Sequence, residues 1–213
     1  LSLVSLSAFS DTVTLTKDSM TGFTKAEGWS NGKAPEEGND YIVADGHYLH
    51  GDYSQEFAGD SLQFGYVGGT EGVFFKEHAG THTFKKLILA NGLYRTWMSV
   101  GGQAAHIDGA TEVLSPESAP FRIYGTHDSG TGEWVTYWDA ALTGAAGTGL
   151  LVGVHPNATK SPPQIIFTGD NSAYLGSIKR LRAAEGSPEP TPFEHFLKAM
   201  GGFLPSVQQR WCT

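Results

Sequence analysis

The sequence predicts an all-β chain, and three observations predict it. Apolar residues alternate in short runs. In TFKKLILANG, residues 83–92, Leu87, Leu89 and Asn91 fall on one side of an extended chain, with Ile88 and Ala90 on the other. Runs of this kind recur, each closed by Gly, Asn or Asp, and the 28 glycines sit singly or in pairs between apolar runs, where a chain must turn often with positive φ. No stretch between residues 11 and 180 carries a convincing helical period.

The elements follow in order. DTVTLT (11–16) alternates Val13 and Leu15 with threonines and reads as a capping strand. In residues 28–46, Trp29 precedes a Ser-Asn-Gly turn, Pro35 begins a polar loop, and YIVADG (41–46) is a strand closed by Asp45-Gly46. DSLQFG (60–65) leads through a Gly68-Gly69 turn into the strand VFF (73–75), and TFKKLILANG follows. EVLS (112–115), LLVGV (150–154) and QIIFTGDN (164–171) complete the series, with residues 115–120 and 156–163 as loops that bulge from corners. Two architectures accommodate such strands. In a parallel β-helix each rung bonds to the next at about 4.8 Å, with Leu62, Leu87 and Leu114 about one coil apart; coils of about 20 residues would give about eight. A β-sandwich or jelly roll is the alternative.

Composition narrows the functional classes. Charged residues make up 17% of the chain and the net charge is −8, with only Lys179, Arg180 and Arg182 clustered. A nucleic-acid footprint needs a basic stripe, so no nucleic-acid partner is expected. Cys212 is the single cysteine, which excludes an internal disulfide and a Cys-based zinc site. Residues 1–10, LSLVSLSAFS, are uncharged and end small-x-small, as a signal-peptide remnant does; a first strand is the other reading. No apolar run reaches the roughly 20 residues of a membrane span, and secretion or surface display is the expected location.

The order W-S-N-G…P…G-N-D-Y-I-V, then F-A-G-D-S-L, then F-x-x-L-I-L-x-N-G, and finally F-T-G-D-N-S-A-Y-L-G-S-I (167–178) resembles the bacterial autotransporter-associated β-strand repeat proteins. The resemblance spans about residues 28–179, and its closing G-D-N-S-x-Y-x-G is the most specific piece. It implies a right-handed, single-stranded parallel β-helix of the passenger type, displayed at the bacterial cell surface. It does not extend to a C-terminal membrane barrel.

Chemistry-bearing residues are sparse. In GEWVTYWDAAL (132–142), Trp134, Thr136 and Trp138 share one strand face; exposed indoles there would stack on sugar rings, with Asp139 or Glu133 bonding hydroxyls, whereas burial would make them core. Core is the commoner fate of large aromatics. His78 and His82 with Glu77 lack the order and helix of a zinc-protease motif, and His47 and His50 flank Tyr48 on a strand; both pairs read as solvated surface histidines. His106, in HID, stands alone. The acids Asp45, Asp52, Asp60, Asp108, Glu112, Asp128, Glu133, Asp139 and Asp170 are scattered, and the Asp-Gly pairs at 45–46 and 108–109 read as turns. No catalytic, cofactor-binding or metal-ligating residue is singled out.

After residue 180 the character changes. Ser187-Pro-Glu-Pro-Thr-Pro192 is a stiff linker, and PFEHFLKAM (192–200) predicts a short amphipathic helix with Phe193, Phe196, Leu197 and Met200 on one side, a cap or docking peptide. The chain thus reads as a signal remnant (1–10), a β-helix domain (11–180) and a linker with terminal helix or cap (181–213). The functional expectation is a secreted or surface-displayed stalk or adhesin whose corner loops contact glycans or neighbouring cell-surface molecules. A carbohydrate-active β-helix enzyme, with acids in one groove, is the alternative.

Overall fold

The computed structural model describes residues 10–20, 22–76, 78–97, 104–126, 135–154 and 164–181. The expected signal remnant, apart from Ser10, and the expected linker and terminal helix, apart from Leu181, which ends the last strand, lie outside them. Among the described residues there are strands and no helix, and every strand pair is parallel. The architecture is a parallel β-helix, and the sandwich alternative falls away.

Strands β1 (Asp11–Thr14), β2 (Asn39–Val43) and β3 (Tyr48–Gly51) open the solenoid. Five turns follow. The first holds β4 (Gln55–Phe57), β5 (Ser61–Phe64) and β6 (Gly72–Lys76); the second, β7 (Gly80–Leu89) and β8 (Gly92–Trp97); the third, β9 (Ala104–Val113) and β10 (Phe121–Thr126). The fourth holds β11 (Val135–Trp138), β12 (Ala141–Gly144) and β13 (Gly149–Val154), and the fifth β14 (Gln164–Phe167) and β15 (Ser177–Leu181). β3, β6, β8, β10, β13 and β15 form a six-stranded sheet, and the others a nine-stranded one.

The turns are longer and fewer than the sequence spacing suggests. Gln55 pairs with His82, Thr81 with His106, His106 with Tyr137 and Tyr137 with Ile166, so partners stand 27, 25, 31 and 29 residues apart. In the first turn the excess over 20 residues includes the loop 65–71 between β5 and β6. The expected Leu62–Leu87–Leu114 column is also corrected: Leu62 pairs with Leu87, but the next residue is Thr111, then Leu142, while Leu114 sits outside β9 and is exposed.

The inward columns are dominated by large apolar side chains. Leu49, Phe74, Tyr94, Ile123 and Val152 stack along the six-stranded sheet, and Phe64, Leu89 and Val113 along the other, all buried. Thr111 interrupts its column for a reason: its hydroxyl oxygen accepts the Trp138 indole N–H at 3.0 Å, so a buried donor keeps a partner.

The first-turn end is closed by the segment after β1. Leu15 bridges Trp29 antiparallel, Ser30 N donates to Thr14 O and Thr16 N to Gly28 O, which satisfies an edge that would otherwise invite another strand. Phe23 and Trp29 plug the core beneath, edge-on to Phe57 and Tyr41. The Trp-Ser-Asn-Gly motif is therefore part of the cap, together with the predicted capping strand.

Candidate functional site

Trp138, offered by the sequence as either sugar platform or core, is core. It is fully buried, edge-on to Tyr94 at 5.4 Å and above Phe167. Thr136 is buried beside it, and Trp134, Glu133 and Asp128 lie outside the described residues. The outward residues of β11 bring a different group together. Tyr137 stacks on His106 at 4.8 Å and 16°, His106 Nδ1 donates to Asp139 Oδ2 at 2.6 Å, and Thr168 Oγ1 donates to Asp139 Oδ1. Both rings are only half-exposed, so this ladder offers hydrogen bonds and less open ring face than an exposed aromatic would.

The remaining acids are held separately. Asp45 (φ 57) with Gly46 forms the predicted turn and accepts from Thr70 Oγ1. Asp108-Gly109, read from sequence as a turn, lies inside β9, where Gly109 (φ 102) bends the strand between the two halves of its sheet. Glu112 pairs with Lys86 at 2.7 Å. Asp60 is held below the usual carboxylate range by hydrogen bonds from Lys85 and Gly38 N, and Asp170 by those from Ser172. Lowered carboxyls are poor general acids.

Both histidine pairs depart from the expected solvated surface. His47, in the turn before β3, bonds Asp18 at 3.2 Å, but His50 is buried against Phe75, with the Arg95 guanidinium 5.5 Å from that ring. The predicted loop around His78 ends at Ala79. In β7 the period of two then places His82 inward with Phe84, so His82 is fully buried between Phe23 and Phe74 while His78 stays at the corner. Glu77 lies outside the described residues. Among those residues no group of three His, Cys, Asp or Glu is placed to hold a metal.

This corner is the candidate site. Tyr53 is 62% exposed, and its ring lies flat on His78 at 4.4 Å and 5°. Asp52 Oδ1 stands 3.5 Å from His78 Nε2. Beneath the loop, buried Lys76 donates to Asp52 O at 3.0 Å, and His82 Nε2–H donates to Asp52 O at 2.8 Å and Tyr53 O at 2.9 Å. Asp52 N donates to Gln55 Oε1, and Ser54 Oγ accepts from Thr81 N. Gly51 makes room for this arrangement, since a Cβ there would fall 2.1 Å from His82 Cε1. An exposed tyrosine is thus anchored by a loop whose Asp52 N–H and whose Asp52 and Tyr53 carbonyls are hydrogen-bonded.

Sequence reasoning passed over Lys76, which ends the strand VFFK and alternates inward with Phe74. Burial pulls its pKa down to about 7, with the nearby Asp52 charge opposing, and burial also pulls His82 down to about 3, helped by the Lys76 charge. For His82 the sign is fixed by its lowered folded value. Full stability is present above pH 6.5; as pH falls from there towards 3, the unfolded chain takes up the proton first, and stability declines by about 1.4 kcal/mol per pH unit. Denaturant titration against pH should show this component in the wild type and lose it in His82→Gln; equal slopes would contradict it.

Comparisons with protein-family models, with curated proteins and with solved structures find no match to this chain.

Proposed function

We propose that the chain is a secreted or surface-displayed passenger segment of the repeat type it resembles, a β-helical stalk whose corner contacts glycans without cleaving them. One observation carries the reading: an exposed Tyr53, backed on one face by His78 and fixed by buried hydrogen bonds to its own loop carbonyls. A pyranose packs its C–H face on an open aromatic ring, and the neighbouring Asp52 carboxylate is an acceptor for sugar hydroxyls. Pre-orientation lowers the ordering cost of binding. Surface location rests on the sequence resemblance and on residues 1–10.

A glycan array and a polysaccharide depolymerisation assay, run on one preparation, test the proposal. Binding without new reducing or unsaturated ends is expected. Tyr53→Ala should weaken binding at least about tenfold, equivalent to about 1.4 kcal/mol, and Tyr53→Phe should retain it. Unchanged binding by Tyr53→Ala would refute the site. Chain cleavage would favour the enzyme alternative, for which the Asp139-anchored His106 is the first base to substitute.

A further inference from the structure

The buried pair beneath Tyr53 has a geometry that a structural role alone does not require. His82 Nε2 lies within hydrogen-bond distance of three groups, the carbonyls of Asp52 and Tyr53 and Lys76 Nζ at 3.0 Å, while its Nδ1 is buried with no partner. Two carbonyls at that distance require a proton on Nε2. A neutral Lys76 amine tolerates this arrangement, because its lone pair faces the ring N–H. An ammonium has only donors, and places N–H against N–H.

We infer that Lys76 and His82 form a protonation latch for the Asp52–Gln55 loop. When Lys76 takes up a proton, the neutral imidazole moves its own from Nε2 to Nδ1, and Nε2 becomes an acceptor for the ammonium. The carbonyls of Asp52 and Tyr53 then face a lone pair, and Tyr53 O loses its ring donor. Acidification thereby loosens the loop that displays Tyr53, and alkalinity fastens it. The balance is one proton added at Lys76 Nζ and one relocated within His82.

The groups around the pair are consistent with this direction. From the β3–β4 loop the Asp52 carboxylate faces it, and from the β6–β7 corner His78, which is paired with Asp52. Phe23 from the cap, Phe74 from β6 and Phe84 from β7 enclose His82 and carry no charge. The apolar enclosure brings the Lys76 titration to about 7, within the neutral range.

The latch itself is tested on the full chain without ligand, and only its effect on binding rests on the glycan reading. Side-chain ¹⁵N correlation spectra should show His82 protonated at Nε2 at pH 9 and at Nδ1 at pH 6. Lys76→Met should keep Nε2–H at both. Amide exchange at residues 52–55, corrected for intrinsic rates, should rise about tenfold from pH 8 to pH 6 in the wild type and not in the variant. One His82 tautomer at both pH values, or a switch that persists in Lys76→Met, would overturn the latch; the wild-type spectra decide the first point even should the variant fail to fold. Where a glycan is bound, its affinity should fall from pH 8 to pH 6 in the wild type only. A tautomer switch with no glycan bound would leave the latch standing and remove the glycan reading.

Discussion

Trp138→Ala should lower the free energy of unfolding by about 3–5 kcal/mol while leaving the affinity of folded protein for any glycan held at Tyr53 unchanged. The indole is fully buried in the column Ile107–Trp138–Phe167, so its removal opens a cavity that parallel rungs on either side cannot close. The Thr111 hydroxyl loses its donor at the same time, adding a buried polar group without its partner. Trp138→Phe should cost less, because it keeps most of the volume and forfeits the hydrogen bond. Urea denaturation measures both. A loss below about 1 kcal/mol for Trp138→Ala would contradict the burial and return the residue to the surface.

Gly109→Ala should destabilise the fold by about 4 kcal/mol or more, through the backbone and not through lost contacts. Gly109 pairs with Phe84 where the β7–β9 register shifts, and it holds φ at 102°, a region that side chains disfavour. A Cβ would sit 1.8 Å from Phe84 O, so the two strands must separate. Gly147→Ala is the control: φ is 87° there, but no atom lies within 4 Å of the added carbon. It should cost about 1 kcal/mol, and the difference between the variants isolates the clash. Thermal and urea unfolding of both variants provide the comparison. Equal effects would mean that β9 relaxes freely at its bend.

Alternation carried most of the strand reading. Leu87 and Leu89 point inward as the pattern demands, Ala90-Asn91 turns the chain, and Asp45-Gly46 closes β2. Strands poor in such alternation were missed: Gln55–Phe57 and Phe121–Thr126 become strands because a neighbouring rung supplies their hydrogen bonds. The Asp108-Gly109 misreading has the same origin. An Asp-Gly pair signals a turn locally, whereas here a long strand bends at the glycine and continues.

The candidate site was less legible. The sequence placed Tyr53 in no motif and read His78 and His82 together as surface residues, although one strand step separates loop from core. His106 and Asp139 stand 33 residues apart and meet only because a turn of the solenoid is about that long. Local sequence holds no signal for such a meeting.

By itself, the sequence determined that this protein is built of short strands, that its turns fall at Gly, Asn and Asp, and that it carries neither a basic stripe nor a cysteine framework. Those properties are local or compositional: side-chain period, permitted φ and charge. Only the tertiary structure decided the length of each turn, the inward fate of Trp138, and the junction of Lys76 and His82 beneath the Tyr53 loop. Each of these depends on which rung lies over which, and that register is set by packing summed along the whole solenoid.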